Sequence, residues 1–156
     1  QSSSNLPNVV LLDRITDPHN VGAILRSAEV FGASAVLGTK YHSAPETGAL
    51  AKAASGALER QPYIRVRNLA DTIIELKKMG FVALGLDATG GRDISDAAKL
   101  YFDRPIALVL GAEGPGLRSR TKEVVDELVR IKPVSSFGSL NVSNAAAVGL
   151  YSITAL

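Results

Sequence analysis

The chain contains no cysteine. Disulfide frameworks and thiolate metal sites are therefore excluded, and a cytoplasmic location is expected. No apolar run reaches the length of a membrane-spanning helix. Aromatic residues make up only 5% of the sequence, too few for a base-stacking sheet of the RNA-recognition-motif kind. Neither G-x-G-x-x-G nor Gly-Lys-Ser/Thr occurs, so the dinucleotide and P-loop fingerprints are both absent. That counts against an NAD-dependent oxidoreductase. No G-x-S-x-G elbow occurs either, which disfavours a serine hydrolase. The two histidines, His19 and His42, have no i+4 partner and no carboxylate at metal-ligating spacing. They read as capping, RNA-contacting or surface residues, and no metal is expected. Residues 1–8 are polar and carry no apolar signal region. They read as a tail or linker remnant, and a longer C-terminus is expected beyond Leu156.

What is present suits one domain over residues 9–156. Hydrophobic residues are 46% of the 156, enough for a core. The net charge of +2 permits a phosphate-rich partner without demanding one. Val9 to Leu12 is a continuous apolar run, as in a strand buried on both faces. Asp17 caps a helix that starts at Pro18 and carries the stripe Val21, Ile24, Leu25, Ala28, Phe31. Residues 35–37 form a short strand. Residues 45–55 form a small-residue helix with Leu50, Ala51 and Ala54 on one face. Residues 63–66 form a strand. Asn68 caps an amphipathic helix with Leu69, Thr72, Ile73, Leu76 and Met79 on its apolar face, ended by Gly80. Strands at 81–86, 106–110 and 128–131, a charged helix at 119–127 and a C-terminal helix from Val142 complete the pattern. Strands alternate with helices, and the strands are apolar throughout. This specifies an α/β domain with a mostly parallel sheet and helices on both faces.

Three loops follow three of these strands, at 13–20, 111–118 and 132–144. Ligands in open α/β sheets gather at the C-terminal ends of strands. In the first loop and its helix, Asn20 lies in the first turn and Arg26 almost two turns on. Arg26 admits two readings, a side chain snorkelling beside the apolar stripe or a phosphate clamp and catalytic cation. In the second, Gly111-Ala112-Glu113-Gly114-Pro115-Gly116 sets three glycines about one carboxylate, more than a plain strand-to-helix turn needs. In the third, Ser139, Asn141, Ser143 and Asn144 gather hydroxyls and carboxamides at a helix N-terminus. Such a place holds a small polar ligand or is an ordinary helix cap. Arg60, Arg65 and Arg67 make a loose basic cluster with Lys40, which reads as a solvated face or a phosphate-contact strip.

Taken in order, the three loops resemble the motifs of the SpoU-type RNA ribose 2′-O-methyltransferases of the SPOUT superfamily. The first motif runs from Asp17 to Ala28, the second from Leu108 to Leu117. The third joins Ile131 to Ser139-Leu140-Asn141-Val142-Ser143-Asn144-Ala145. The sequence is most similar to the branch that methylates a guanosine ribose in large-subunit ribosomal RNA. Asn144 and Pro115 depart from that branch's commonest form and bear on the RNA target rather than on the reaction. The resemblance implies a C-terminal trefoil knot, which chain-topology rules alone would argue against. It implies S-adenosylmethionine held by Leu110, Gly111, Ala112, Ile131, Ser139, Leu140 and Asn141, largely through backbone groups. It implies a homodimer with RNA as substrate. By matched position, Arg26 activates the ribose hydroxyl, and Asn20, Glu113, Ser143 and Asn141 form its polar surroundings. A tRNA 2′-O-methyltransferase and a non-catalytic RNA-binding domain on the same scaffold are the alternatives.

Overall fold

A computed structural model describes residues 6–112, 114–135 and 140–155. The chain alternates between strands and helices. β1 (Val9–Asp13) leads to α1 (Pro18–Val30), β2 (Ala35–Thr39), α2 (Gly48–Ala54), α3 (Ala57–Arg60) and β3 (Tyr63–Val66). Then come α4 (Leu69–Lys78), β4 (Val82–Leu86), β5 (Arg92–Asp93), α5 (Ile94–Leu100) and β6 (Ile106–Gly111). α6 (Ser119–Val124), β7 (Glu127–Arg130) and α7 (Val142–Thr154) close it. The strands form one sheet in the order β3-β2-β1-β6-β4-β7-β5, and every pairing in it is parallel.

A parallel sheet must be covered on both faces, because its strands are apolar on both. β1 shows this directly. Val10 and Leu12 enter one core, with Ile24 and Leu25 of α1, Leu50 of α2, Ala97 of α5 and Leu150 of α7. Val9 and Leu11 enter the other, with Leu69 and Ile73 of α4 and Val124 of α6. The strand period of two thus divides one apolar run between two helical layers.

The local start signals act as expected. The Asp17 side chain accepts from the His19 N–H and Pro18 opens α1. The Asn68 side chain accepts from the Asp71 N–H at the start of α4. Several details differ from the sequence reading. The charged helix expected over 119–127 ends at Val124, because Glu127 already belongs to β7, and the helix expected over 45–55 starts at Gly48, capped by Thr47. Ala51 is exposed, because α2 is only seven residues long and buries just Leu50 and Ala54, one helical turn apart. Met79 is 71% exposed, because it is the C-cap of α4 and lies past the part of the helix that covers the sheet. β7 begins at Glu127 and ends at Arg130, one residue earlier than the apolar run suggests.

α3, β5 and α5 were not anticipated. A two-residue strand carries no readable period. The connection into β5 shapes the C-terminal edge of the sheet. β5 pairs with β7, not with β4, so residues 87–91 must cross β7 to reach it. The crossing occurs at Gly90, where a Cβ would lie 2.5 Å from the Val129 carbonyl carbon and 2.6 Å from its oxygen. Only a residue without a side chain fits between two backbones at that distance. The crossing is tied down by Asp87 N–H donating to Val129 O at 2.9 Å and Gly91 N–H donating to Leu128 O at 3.3 Å.

Candidate active site

The C-terminal edge of the sheet collects the loops that follow β1, β6 and β7, and adds the 87–91 crossing between them. β1 and β6 are neighbours, with Asp13 opposite Gly111. β4 lies between β6 and β7, which places residues 87–91 between the second and third motif loops. The sequence does not single that crossing out. Its signal, Gly90-Gly91 after an apolar strand, fits any turn.

The second loop folds back on its own strand. Ala112 and Gly116 form an antiparallel bridge, and Gly116 N–H donates to Ala112 O at 2.8 Å. Gly114 and Gly116 take φ of +84° and +70°, values that L side chains rarely adopt. Gly111 is needed for a different reason. A Cβ there would lie 2.4 Å from the Gly116 carbonyl carbon and 2.5 Å from the Leu117 nitrogen. The close approach that this glycine permits is first of all to the chain itself. Leu110 is buried inside β6, paired on both sides, so its side chain belongs to the core. Ala112 is half-buried beside the bridge. Glu113 lies outside the described residues.

Asp87 braces this loop. Burial pushes its carboxyl up. Hydrogen bonds from the Thr89 hydroxyl and N–H, the positive charge of Lys122 and a hydrogen bond from the Leu117 N–H together outweigh that and hold its pKa below the ordinary 3.8. A Cβ on Gly116 would stand 2.8 Å from Asp87 Oδ1, so the two loops touch there.

In the third loop, Ile131 is half-buried against the core. Leu140 is 46% exposed, with Ser139 outside the described residues. Asn141 is the N-cap of α7. Its Oδ1 accepts from the Ser143 N–H at 2.8 Å and from Ser143 Oγ at 2.6 Å. The two residues therefore hold each other at the helix start, the capping role that their types favour.

Arg26 is exposed on α1 and donates no hydrogen bond to a described residue. Asn20 is half-buried in the first turn of α1, at the end of the helix nearest the edge where β1 finishes. Both side chains are thus available to a ligand. Among the described residues, no group of three or more His, Cys, Asp or Glu that could hold a metal is present.

Asp93 was missed by sequence reasoning. It caps α5, accepting from Ser95 N–H at 3.0 Å and Ser95 Oγ at 2.5 Å. It also accepts from Lys132 N–H at 2.9 Å, which fixes where the third loop leaves β7. The Ser95 hydroxyl is the main cause of its pKa lying below the ordinary 3.8. Burial opposes it, and the N–H groups of Lys132 and Ser95 and the Lys132 ammonium assist. A carboxylate with a depressed folded-state pKa stabilises the fold above its unfolded pKa, and that contribution is lost as pH falls through the folded value. Losing a cap costs about 1 kcal/mol, or roughly 2–4 °C in a chain of this size. Asp93→Ala is predicted to melt lower than wild type by about that much at neutral pH. The gap should close as pH falls below about 4. Thermal melts across the pH range check this, and a gap that persists in acid would contradict it.

The chain belongs to the SpoU rRNA methylase family, whose profile matches residues 7–151. Among curated relatives, it is 46% identical over 145 residues to the 23S rRNA (guanosine-2′-O-)-methyltransferase RlmB of Ralstonia nicotianae, covering 93% of this chain and 57% of that protein. It is 41% identical over 145 residues to RlmB of Vibrio parahaemolyticus, covering 93% and 58%. The chain thus spans somewhat over half the length of these relatives. Among solved structures, the SpoU methyltransferase AviRb from Streptomyces viridochromogenes, in complex with the cofactor AdoMet, superposes with a TM-score of 0.83 at 31% identity, covering 96% of this chain and 57% of that one. The AdoMet-bound rRNA methyltransferase from Sinorhizobium meliloti superposes with a TM-score of 0.85 at 26% identity, covering 94% and 55%.

Proposed function

We propose that residues 9–156 are the catalytic domain of an S-adenosylmethionine-dependent RNA methyltransferase. Its product is a 2′-O-methylated ribose, on a guanosine of large-subunit ribosomal RNA, made in the cytoplasm. The observation that carries this reading is the meeting of three family motifs and the 87–91 crossing at one edge of the sheet. Sequence similarity to two RlmB proteins supports the guanosine of 23S rRNA as target. The crossing of residues 87–91 over β7 at Gly90 supports the C-terminal trefoil knot that the resemblance implies.

The residues present suit the cofactor. Ile131 and Leu140 offer apolar surface at the loop edge, and Gly111, Ala112 and Asn141 offer backbone groups beside it. That combination fits a purine nucleoside, with apolar contact for the ring faces and main-chain partners for its edge. When bound, S-adenosylmethionine supplies an activated methyl group on a sulfonium. The chain must then hold the ribose hydroxyl in line with that group at near-attack distance and ease removal of the hydroxyl proton. A guanidinium is too weak an acid to become a free base near neutral pH. Arg26 therefore grips the phosphate next to the reacting ribose and polarises the hydroxyl, and Asn20, Glu113, Ser143 and Asn141 keep the supporting polar role that the resemblance implies.

The active site is completed by a second copy of the chain. Among the described residues, Val30 on α1 and Tyr151 on α7 are 60% and 61% exposed. The rings of Phe31 and Tyr151 meet edge-on at 6.0 Å, so the exposed face is continuous from α1 to α7. Arg26 lies one helical turn before Val30 on this face. A two-fold dimer through α1 and α7 would bury the apolar residues and bring Arg26 toward the partner's loops. Light scattering at micromolar concentration should give twice the chain mass. A monomer would remove the shared-site arrangement.

The decisive test is transfer of labelled methyl from S-adenosylmethionine to unmodified large-subunit ribosomal RNA, with the modified ribose mapped. Transfer to a single guanosine 2′-oxygen is expected. RNA binding without transfer would favour a non-catalytic RNA-binding domain, and transfer to tRNA alone would redirect the substrate.

A further inference from the structure

A second feature lies on the other side of β1 from the β6 loop. A cleft of about 210 Å³ opens beyond the ends of β1, β2 and β3 and at the starts of α4 and α6. Its wall includes Arg14, Arg67, Arg118, Arg120, His42 and Thr121, and among the described residues no carboxylate lines it. The four arginines come from three separate stretches of chain, the ends of β1 and β3 and the start of α6, so only the fold brings Arg14, Arg67 and the Arg118/Arg120 pair together.

Their partners differ. Arg118 is fixed by the buried Asp13, whose carboxylate accepts from Arg118 Nε at 2.7 Å and from its N–H at 2.9 Å. Arg120 reaches the exposed Glu123 only at 3.5 Å. Arg14 and Arg67 are exposed and make no ion pair with a described residue. Arg14 and Arg67 thus add positive charge that no described carboxylate pairs, and a bound polyanion would offset it.

Two further observations point to a ligand. Thr121 is 1% exposed, and its Oγ1 has no hydrogen-bond partner among the described residues. A buried hydroxyl left unpaired is unfavourable, and this one belongs to the cleft wall. Arg14 and His42 also take φ of +60° and +56°. Bulky residues adopt that region rarely, and such strain concentrates at binding sites. Ser55, the remaining non-glycine residue with positive φ, is the C-cap of α2 and has a local reason.

We infer that this cleft docks the phosphodiester backbone of the substrate RNA, away from the ribose that reacts. The inference rests on the reading of the substrate as RNA. Arg26 and α7 lie on one face of the sheet, and α4 and α6 on the other. An RNA strand reaching both sites would cross the C-terminal edge of the sheet. Contacts of this kind position RNA without reading its bases.

The test uses this chain and unmodified large-subunit ribosomal RNA transcribed in vitro. Arg14→Ala/Arg67→Ala removes the two arginines without ion-pair partners, so folding and the motif loops should be unaffected. RNA affinity is measured by anisotropy across a salt series. Each phosphate contact contributes roughly 0.7–0.9 to the slope of log affinity against log salt, so the double variant's slope should be smaller by about 1.5. The apparent KM for RNA should rise, while kcat at saturating RNA and S-adenosylmethionine affinity stay at wild-type values. An unchanged slope and affinity in a folded double variant would overturn the docking site. The failures are separable. Normal methyl transfer with an unchanged slope removes the cleft alone. A reduced slope in a chain that transfers no methyl removes the proposed reaction and leaves the cleft.

Discussion

Arg26→Ala is expected to lower single-turnover methyl transfer by roughly 100- to 10,000-fold, the range of a positioned proton-transfer group. S-adenosylmethionine affinity and melting temperature should remain near wild type. The structure sharpens this expectation. Arg26 is exposed and bonds no described residue, so its loss breaks no internal contact. A side chain that merely shielded apolar surface would cost only a little packing when truncated. Arg26→Lys should restore little activity, because an ammonium lacks the planar fork that grips a phosphate from two directions. Turnover close to wild type in Arg26→Ala would refute the catalytic role. A joint fall in turnover, cofactor binding and melting temperature would make Arg26 structural.

Gly111→Val should weaken S-adenosylmethionine binding by roughly 10- to 100-fold. The added Cβ would meet the Gly116 carbonyl carbon at 2.4 Å and the Leu117 nitrogen at 2.5 Å. These are backbone atoms, and no rotamer change removes the overlap. The 112–116 turn must move away from β6, and overpacking of this kind costs about 1–3 kcal/mol. A cofactor that needs the turn in place must reverse the displacement on binding, and each 1.4 kcal/mol is about tenfold in affinity. Melting temperature should fall as well, by about 2–4 °C for each kcal/mol. Gly111→Ala places the same first atom and should show a smaller effect in the same direction. Calorimetry on the folded variants is the measurement. Wild-type affinity in Gly111→Val would take this turn out of the cofactor site.

These two residues also differ in what their sequence could tell. The glycines of the second motif point to a close backbone approach, but not to what approaches. The structure supplies the chain's own Gly116 and Leu117 as the first neighbours. Arg26 kept two readings in the sequence, because a helical stripe fixes which side of α1 is buried but not what stands opposite the exposed side. Asn141 and Ser143 were read both as cap and as site, and their mutual hydrogen bonds fulfil the first of these.

The sequence by itself determined the elements whose signals are local. Asp17 and Pro18 begin α1, Asn68 and Gly80 bound α4, and the apolar runs at β1 and β6 require a parallel sheet covered on both faces. Capping and periodicity act within a few residues, so they survive in the linear order. The tertiary structure alone decided the strand order, the Gly90 crossing over β7 and the company that each arginine keeps. The basic cluster of Arg60, Arg65 and Arg67 breaks apart in the fold. Arg60 pairs with Glu29, Arg65 lies over the Tyr63 ring and donates to Ala44 O, and only Arg67 joins Arg14, Arg118 and Arg120 in the cleft. Neighbours along a strand point to opposite faces, whereas parallel pairing carries residues from distant stretches to the same edge of the sheet. Burial of apolar surface on both faces sets that pairing, and the charges at the edge follow from it.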